Sequence, residues 1–367
     1  MSLTRRAVPG GGIITIAPRK SLQKSAARYV LPGTDDQETL NDIIQDIHSN
    51  PNASFGNWMV PKIQLLDGDI NISGSVHVKD SSYIEGSGYN TRFFLQSGSR
   101  CDMLVSDNYD SGIVYFPTLK EFRVDGNHDN NRDQDFWGIK IKSQEFEFCH
   151  LIVENCHSGI KLDGEGTYGG YFRDGFVKNN HAKGMVAGGD TTITGTSFGD
   201  NAKSEEVLWN WDACGLLING WNTQVVGNNH FAANRTDIVG NWAAYALIQG
   251  NIFEAGLWEN IVMQGRAWGY LINNNRFGGR RNTLSDTSRS SIKFKDIDAS
   301  EKAFGNQICN NSFTVYESGD CGYNYCVEES TNCDNNLITN NTFINGYTQA
   351  NPVLKVGENT QVSMNII

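Results

Sequence analysis

Five times in the second half of the chain an Asn is followed two residues later by a Phe: Asn229-His230-Phe231, Asn251-Ile252-Phe253, Asn275-Arg276-Phe277, Asn311-Ser312-Phe313 and Asn341-Thr342-Phe343. An aliphatic residue stands five positions before each Phe: Val226, Ile248, Ile272, Ile308 and Ile338. The Phe-to-Phe intervals are 22, 24, 36 and 30 residues. A short repeat that lengthens where loops are inserted is the mark of a solenoid, in which each unit buries its apolar face only against its neighbours. In such a stack the Phe of one coil points inward onto the Phe of the next. The Asn stands at a turn, where the left-handed conformation is cheap and its amide can bond along the axis. Recurrence in every coil assigns both ladders to structure rather than to catalysis.

The rest of the chain agrees with stacked strands. Gly is abundant (39) and Pro scarce (7), and the apolar segments are short and bounded by Gly, Asn or Asp. Ile70-Asn71-Ile72 and Val76-His77-Val78 alternate cleanly, and further strands are expected at Ile160-Lys161-Leu162, Leu216-Leu217-Ile218 and Ile261-Val262-Met263. No helical pattern separates them, which excludes βαβ crossovers and leaves coils about 4.8 Å apart in parallel register. One helix is expected at 35–48, with Asp35 as its cap, Glu38 completing the capping box, and Leu40, Ile43, Ile44 and Ile47 as its apolar stripe. Placed before a solenoid, it would cover the open end. The layout is then a flexible arm (1–24), a capping segment (25–60), the solenoid (61–345), and a final coil with tail (346–367).

Three stretches carry a family resemblance: Tyr29 to Asp36 with the helix after it, Leu65 to Gly74, and Ile84 to Gly88. They resemble the start of pectate-lyase-like right-handed parallel β-helices, a group that includes polysaccharide lyases, glycoside hydrolases and viral tailspikes. The resemblance implies an all-β, single-stranded right-handed parallel β-helix with an N-terminal capping α-helix. It also implies a polysaccharide or oligosaccharide partner, cleaved by hydrolysis or elimination. Such solenoids align side by side, so a homotrimer is expected. The lyases' calcium-and-arginine site does not map onto this sequence, and no catalytic residue is carried over. A looser likeness in layout is to the inulin fructotransferases, which implies a transfer reaction forming a cyclic disaccharide. A non-catalytic adhesin or spike with the same fold is the rival from another class.

Six of the eight tryptophans fall in one stretch: Trp209, Trp211, Trp221, Trp242, Trp258 and Trp268. Trp fits poorly in a narrow coil, and an exposed indole is a platform for a sugar ring. Aligning coils on their Phe places Trp242 beside Arg266 and brings Asp212, Asp237 and Glu259 near one another, with Glu254 directly after Phe253. Carboxylates one coil apart match a retaining glycosidase and two coils apart an inverting one. Asp212, Asp237, Glu254 and Glu259 are therefore the catalytic candidates, with the tryptophans and Arg266 as substrate contacts. No cofactor is expected; Asp125, Asp129 and Asp133 form a partial EF-hand pattern that offers a weak calcium site. The cysteines and histidines show no metal-ligand spacing. The net charge of −11 argues against nucleic acid, and no apolar run is long enough for membrane insertion. The amino terminus shows no signal peptide, and the expected location is extracellular or virion-associated.

Overall fold

The computed structural model describes residues 12–49, 60–132, 135–163, 166–203, 212–281, 289–295, 303–314, 320–321, 323–344, 347, 349 and 351–367. Among these, the strands assemble into one sheet of 24, one of 11 and a short antiparallel pair. The ratio means that each coil lends two strands to the larger sheet and one to the smaller, so its cross-section has three faces. One coil runs through Gln224–Val226 on the first face, His230–Ala232 on the second and Ile238–Asn241 on the third; the next begins at Leu247–Gln249. Neighbouring coils pair in parallel, as in Val225↔Ile248↔Ile272 and Phe231↔Phe253↔Phe277. No helix among the described residues is long and apolar enough to cross a membrane.

The interior is built from one-residue columns. Ile193, Val225, Ile248, Ile272, Ile308 and Ile338 form one and are fully buried. The first repeat departs from the expected spacing, because its inward residue is Val225 and not Val226. Gly227 (φ 70°) and Asn228 (φ 61°) are both left-handed there, and the extra residue at this corner shifts the strand by one. The Phe column starts one coil earlier than the repeat, at Phe198. Its rings stack with centroids 4.8, 4.9, 4.7, 4.7 and 5.1 Å apart through Phe231, Phe253, Phe277, Phe313 and Phe343. Each contact of this kind adds about 1 kcal/mol beyond the burial of the ring.

The Asn column is likewise interior. Each Nδ2 donates to the Oδ1 of the next coil's Asn, at 2.9 Å from Asn229 to Asn251 and 3.0–3.1 Å onward through Asn275, Asn311, Asn341 and Asn365. The left-handed residue is the one before it: Asn228, Gly250, Asn274, Asn310 and Asn340 have φ of 54–70°. The expectation that the ladder Asn takes the left-handed conformation is thus corrected; it bonds inward while its predecessor makes the corner.

The entrance of the solenoid is closed in two ways. Ile13–Ala17, assigned above to a flexible arm, is a strand pairing in parallel with Lys62–Leu65. Helix α1 (Asp36–His48) covers the rest, burying Leu40, Ile43, Ile44 and Ile47. Its polar side chains stand in for a missing coil. The Asp36 carboxylate accepts from Asn71 N at 2.8 Å, Gln37 Oε1 accepts from Ser73 N at 3.1 Å, and Asn41 Oδ1 accepts from His77 N at 2.8 Å while its Nδ2 donates to Ser75 O at 2.8 Å. The capping box does not form. Asp35 is left-handed (φ 52°) with no side-chain cap bond, and its carboxylate accepts instead from Ser73 Oγ.

Candidate functional site

The four acids singled out by register do not converge. Asp237 is 0% exposed and ends a second interior amide ladder, in which Asn180 bonds Asn201 and Asn201 bonds Asn234, both at 2.9 Å. Its carboxylate accepts from Asn234 Nδ2 at 2.9 Å and Asn260 Nδ2 at 2.8 Å, with Gly256 of the next coil packed against the group. Burial pushes its carboxyl up to about 7 against the pull of the two amides. A group so enclosed does not reach a polymer. Glu259 is buried beside Arg289, 3.4 Å away, and Trp258 lies between the guanidiniums of Arg235 and Arg289, 3.7 and 3.9 Å from its ring centre. Burial also lowers Arg235 to about 10. Asp212 is held by Lys183 at 2.9 Å on the same edge of the third face. Glu254 stands apart on the second face, 3.2 Å from His230 Nε2.

The tryptophans divide in the same way. Trp221 and Trp242 are 60% and 45% exposed, and Arg266 lies 5.5 Å from the Trp242 ring, as the coil alignment expects. Trp268 is half-buried against Phe304, while Trp209 and Trp211 lie outside the described residues. The calcium expectation loses its first ligand. Asp125 turns onto the outer face, where Arg92 and Arg123 meet its carboxylate at 3.2 and 3.0 Å; Asp129 pairs with Arg132 at 2.6 Å, and Asp133 lies outside the described residues.

A cleft of about 800 Å³ opens elsewhere, on the first face, across three consecutive coils. Its floor is the middle coil, Tyr168–Arg173, where Gly169 and Gly170 supply no side chain. A Cβ on Gly170 would meet the ring of the buried Phe146, Cδ1 at 2.6 Å, so packing against the core requires glycine there. Glu145 stands on the coil before and Asp190 on the coil after, at register-equivalent positions. Both are left-handed (φ 55° and 51°), as are Ser81, Phe116, Asn222 and Tyr245 at the same corner of other coils. The turn belongs to the architecture; the local choice is to put exposed carboxylates on it, and Asp190 Oδ1 accepts from Asn222 Nδ2 of the following coil at 3.1 Å. Two coils separate their backbones by about 9.5 Å.

The walls are fixed by charge. Glu147 is clamped by Lys120 at 2.9 Å and Arg173 at 2.8 Å, and these cations hold its carboxyl below the usual range. Tyr168 and Tyr171 rise beside it, 45% and 56% exposed. Two coils before Glu147, Tyr83 donates to Glu85 at 2.9 Å; burial and that carboxylate push its hydroxyl up to about 12. The sequence reading missed Glu145, Asp190 and both tyrosines because they precede the Asn-x-Phe repeats that served as its ruler. Its available signal was Tyr168-Gly-Gly-Tyr171, two aromatics around a gap.

A histidine ladder also went unread. His128, His157 and His181 meet on successive coils with ring centroids 4.6–6.2 Å apart. Burial, then the two neighbouring rings, lower His128 to about 4.

No protein-family model matches the sequence, and no curated protein matches it. Solved structures do. The A-module of the mannuronan C-5 epimerase AlgE4 of Azotobacter vinelandii superposes with a TM-score of 0.61 at 14% identity, over 95% of this chain and 100% of that one. The DFA-IIIase of Arthrobacter chlorophenolicus A6, in complex with GF2, gives 0.57 at 15% identity, over 88% and 94%. ORF18 of Geobacillus virus E2 gives 0.53 at 16% identity, over 89% of this chain and 57% of that one. Identities this low speak for the fold alone. The chain is a right-handed parallel β-helix with an N-terminal capping helix.

Proposed function

We propose that this chain binds a polysaccharide across the first-face cleft and hydrolyses it, with Glu145 and Asp190 as the acid–base pair. The observation that carries the reading is the placement of two exposed carboxylates on either side of the Gly169–Gly170 floor, flanked by the exposed rings of Tyr168 and Tyr171. A separation near two coils leaves room for a water as well as a sugar, which is the geometry of an inverting glycosidase. One carboxyl, protonated, gives its proton to the glycosidic oxygen as the C–O bond breaks. The other, ionised, takes a proton from the water that attacks the anomeric carbon. One water is consumed and a new reducing end is released. The clamped Glu147 keeps Arg173 and Lys120 in place and leaves their hydrogen-bonding edges to orient sugar hydroxyls. Trp221, Trp242 and Tyr245 extend the aromatic surface beyond the cleft. Support from outside the chain is the carbohydrate vocabulary of its structural neighbours, one named as a mannuronan epimerase and one as a DFA-IIIase.

A panel of purified glycans scored by product mass tests the reading. Fragments that have gained water support it. An unsaturated end would mean elimination, an anhydride transfer, and no product from any glycan an adhesin; each of these overturns it.

A further inference from the structure

The corner at which the third face turns into the first carries a column of side chains with a period of two coils. Tyr115 pairs with Gln144, Gln144 with Tyr168, and Tyr168 with Gly189. The column continues through Trp221, whose carbonyl accepts from Asp190 N at 2.8 Å, to Ala244, whose carbonyl accepts from Asn222 N at 2.9 Å, and then to Trp268. Aromatic and non-aromatic residues alternate throughout this run. The interior does the opposite, setting Phe on every coil so that each ring stacks on the next at about 5 Å. Where two aromatics do fall on adjacent coils outside, at Trp268 and Phe304, they also close on each other, at 5.1 Å. Gly189 prevents that between Tyr168 and Trp221, and both rings stay exposed.

We infer that this column is a binding track for an extended, uncharged polysaccharide lying parallel to the solenoid axis, with one aromatic platform for every two sugars. The inference rests on the glycan reading above and names its substrate class. Platforms two coils apart are separated by about 9.5 Å, the length of two diequatorially linked pyranose units. A sugar stacks its apolar face on an isolated ring and cannot do so where rings stack on each other. The neighbouring column fits the same period: Glu145 and Asp190 lie on the coils that alternate with Tyr168 and Trp221. Every second sugar would therefore meet a ring, and the sugars between would meet a carboxylate. Charge selects against a polyanion. Glu145 and Asp190 line the track, Arg173 of the cleft and its neighbour Lys120 are engaged by Glu147, and the chain as a whole carries −11.

The test is stopped-flow tryptophan fluorescence, read before turnover, with β-1,4-linked gluco-, manno- and N-acetylglucosamine oligomers of defined length and oligouronates as the anionic comparison. Affinity is expected to rise in steps of two sugars for at least one neutral series and to stay low for oligouronates. Trp221→Ala should weaken the longer oligomers about tenfold and leave the shortest unchanged, with Tyr168→Ala acting independently. Both side chains are exposed, and an unchanged near-ultraviolet circular dichroism spectrum verifies the fold. Preferred binding of oligouronates overturns the substrate class. A rise sugar by sugar, or full affinity in both variants, overturns the track. Either result, with product formation still lost in Glu145→Gln, leaves the hydrolase reading standing; no glycan binding and no product removes both.

Discussion

Replacing Asn275 by Ala takes out one rung from the middle of the interior amide ladder, and its effect can be worked out bond by bond. The Asn275 amide donates to Ile248 O at 2.8 Å and to Asn311 Oδ1 at 3.1 Å. It accepts from Asn251 N at 3.0 Å and from Asn251 Nδ2 at 3.1 Å. All four bonds vanish in the variant, in a site closed to water. At about 1 kcal/mol net for each bond, the loss is about 4 kcal/mol, a large share of the stability of an ordinary domain. The terminal rung provides the internal comparison. Asn365 makes three such bonds but is half-buried at the end of the stack, where water replaces them, so Asn365→Ala should cost about 1 kcal/mol. Urea unfolding followed by tryptophan fluorescence measures both, since Trp242, Trp258 and Trp268 lie in the coils the ladder spans. A loss below about 1 kcal/mol for Asn275→Ala, or equal losses in the two variants, would refute the claim that the repeat exists to satisfy interior amides.

The pH dependence of stability should carry two opposed contributions. Asp237 has a folded value near 7 against 3.8 for the free group, so the folded state holds its proton longer and this contribution weakens as pH rises from about 4 to 7. Comparing wild type with Asp237→Asn across that range should show the variant gaining relative stability toward neutrality; a constant difference would contradict the burial argument. His128, near 4 against 6.5, works the other way, and its contribution is lost as pH falls from about 6.5 to 4. His128→Gln should flatten the acid limb. At the entrance, Asn41→Ala removes two bonds to the first strand edges and should cost about 2 kcal/mol by thermal unfolding, with more aggregation as those edges open. The thiols of Cys156, Cys214 and Cys326 are enclosed, and burial raises each of them. They should react with a thiol reagent only after unfolding; rapid native-state labelling of any one would contradict its placement.

Much of the architecture was legible because a solenoid repeats. Five copies of Asn-x-Phe gave the coil length and the inward face, and the stripe at Leu40, Ile43, Ile44 and Ile47 gave the cap. The reading failed where one residue matters more than the period. An extra left-handed residue at Gly227–Asn228 moved the inward position from Val226 to Val225. Asp237 is level with Asn260, one residue out of register with Glu259, so its carboxylate turns into the interior amide ladder while that of Glu259 meets Arg289. Ile13–Ala17 looked like an arm because its partner strand lies after the helix, at Lys62–Leu65. The cleft was harder to see. Glu145 and Asp190 are separated by 45 residues of sequence and two coils of space, and what joins them is the absence of side chains at Gly169 and Gly170. Composition and motif reading weigh the residues present, so a gap between two ordinary acids leaves little trace.

The most direct test of the central claim is reducing-end release from a cleaved glycan by wild type, Glu145→Gln and Asp190→Asn side by side. Each substitution keeps side-chain size on an exposed corner and removes only the proton chemistry, so folding and glycan binding should persist while the rate falls at least about a hundredfold in both. Full activity in both variants, or no release by the wild-type protein from any glycan, would contradict the account.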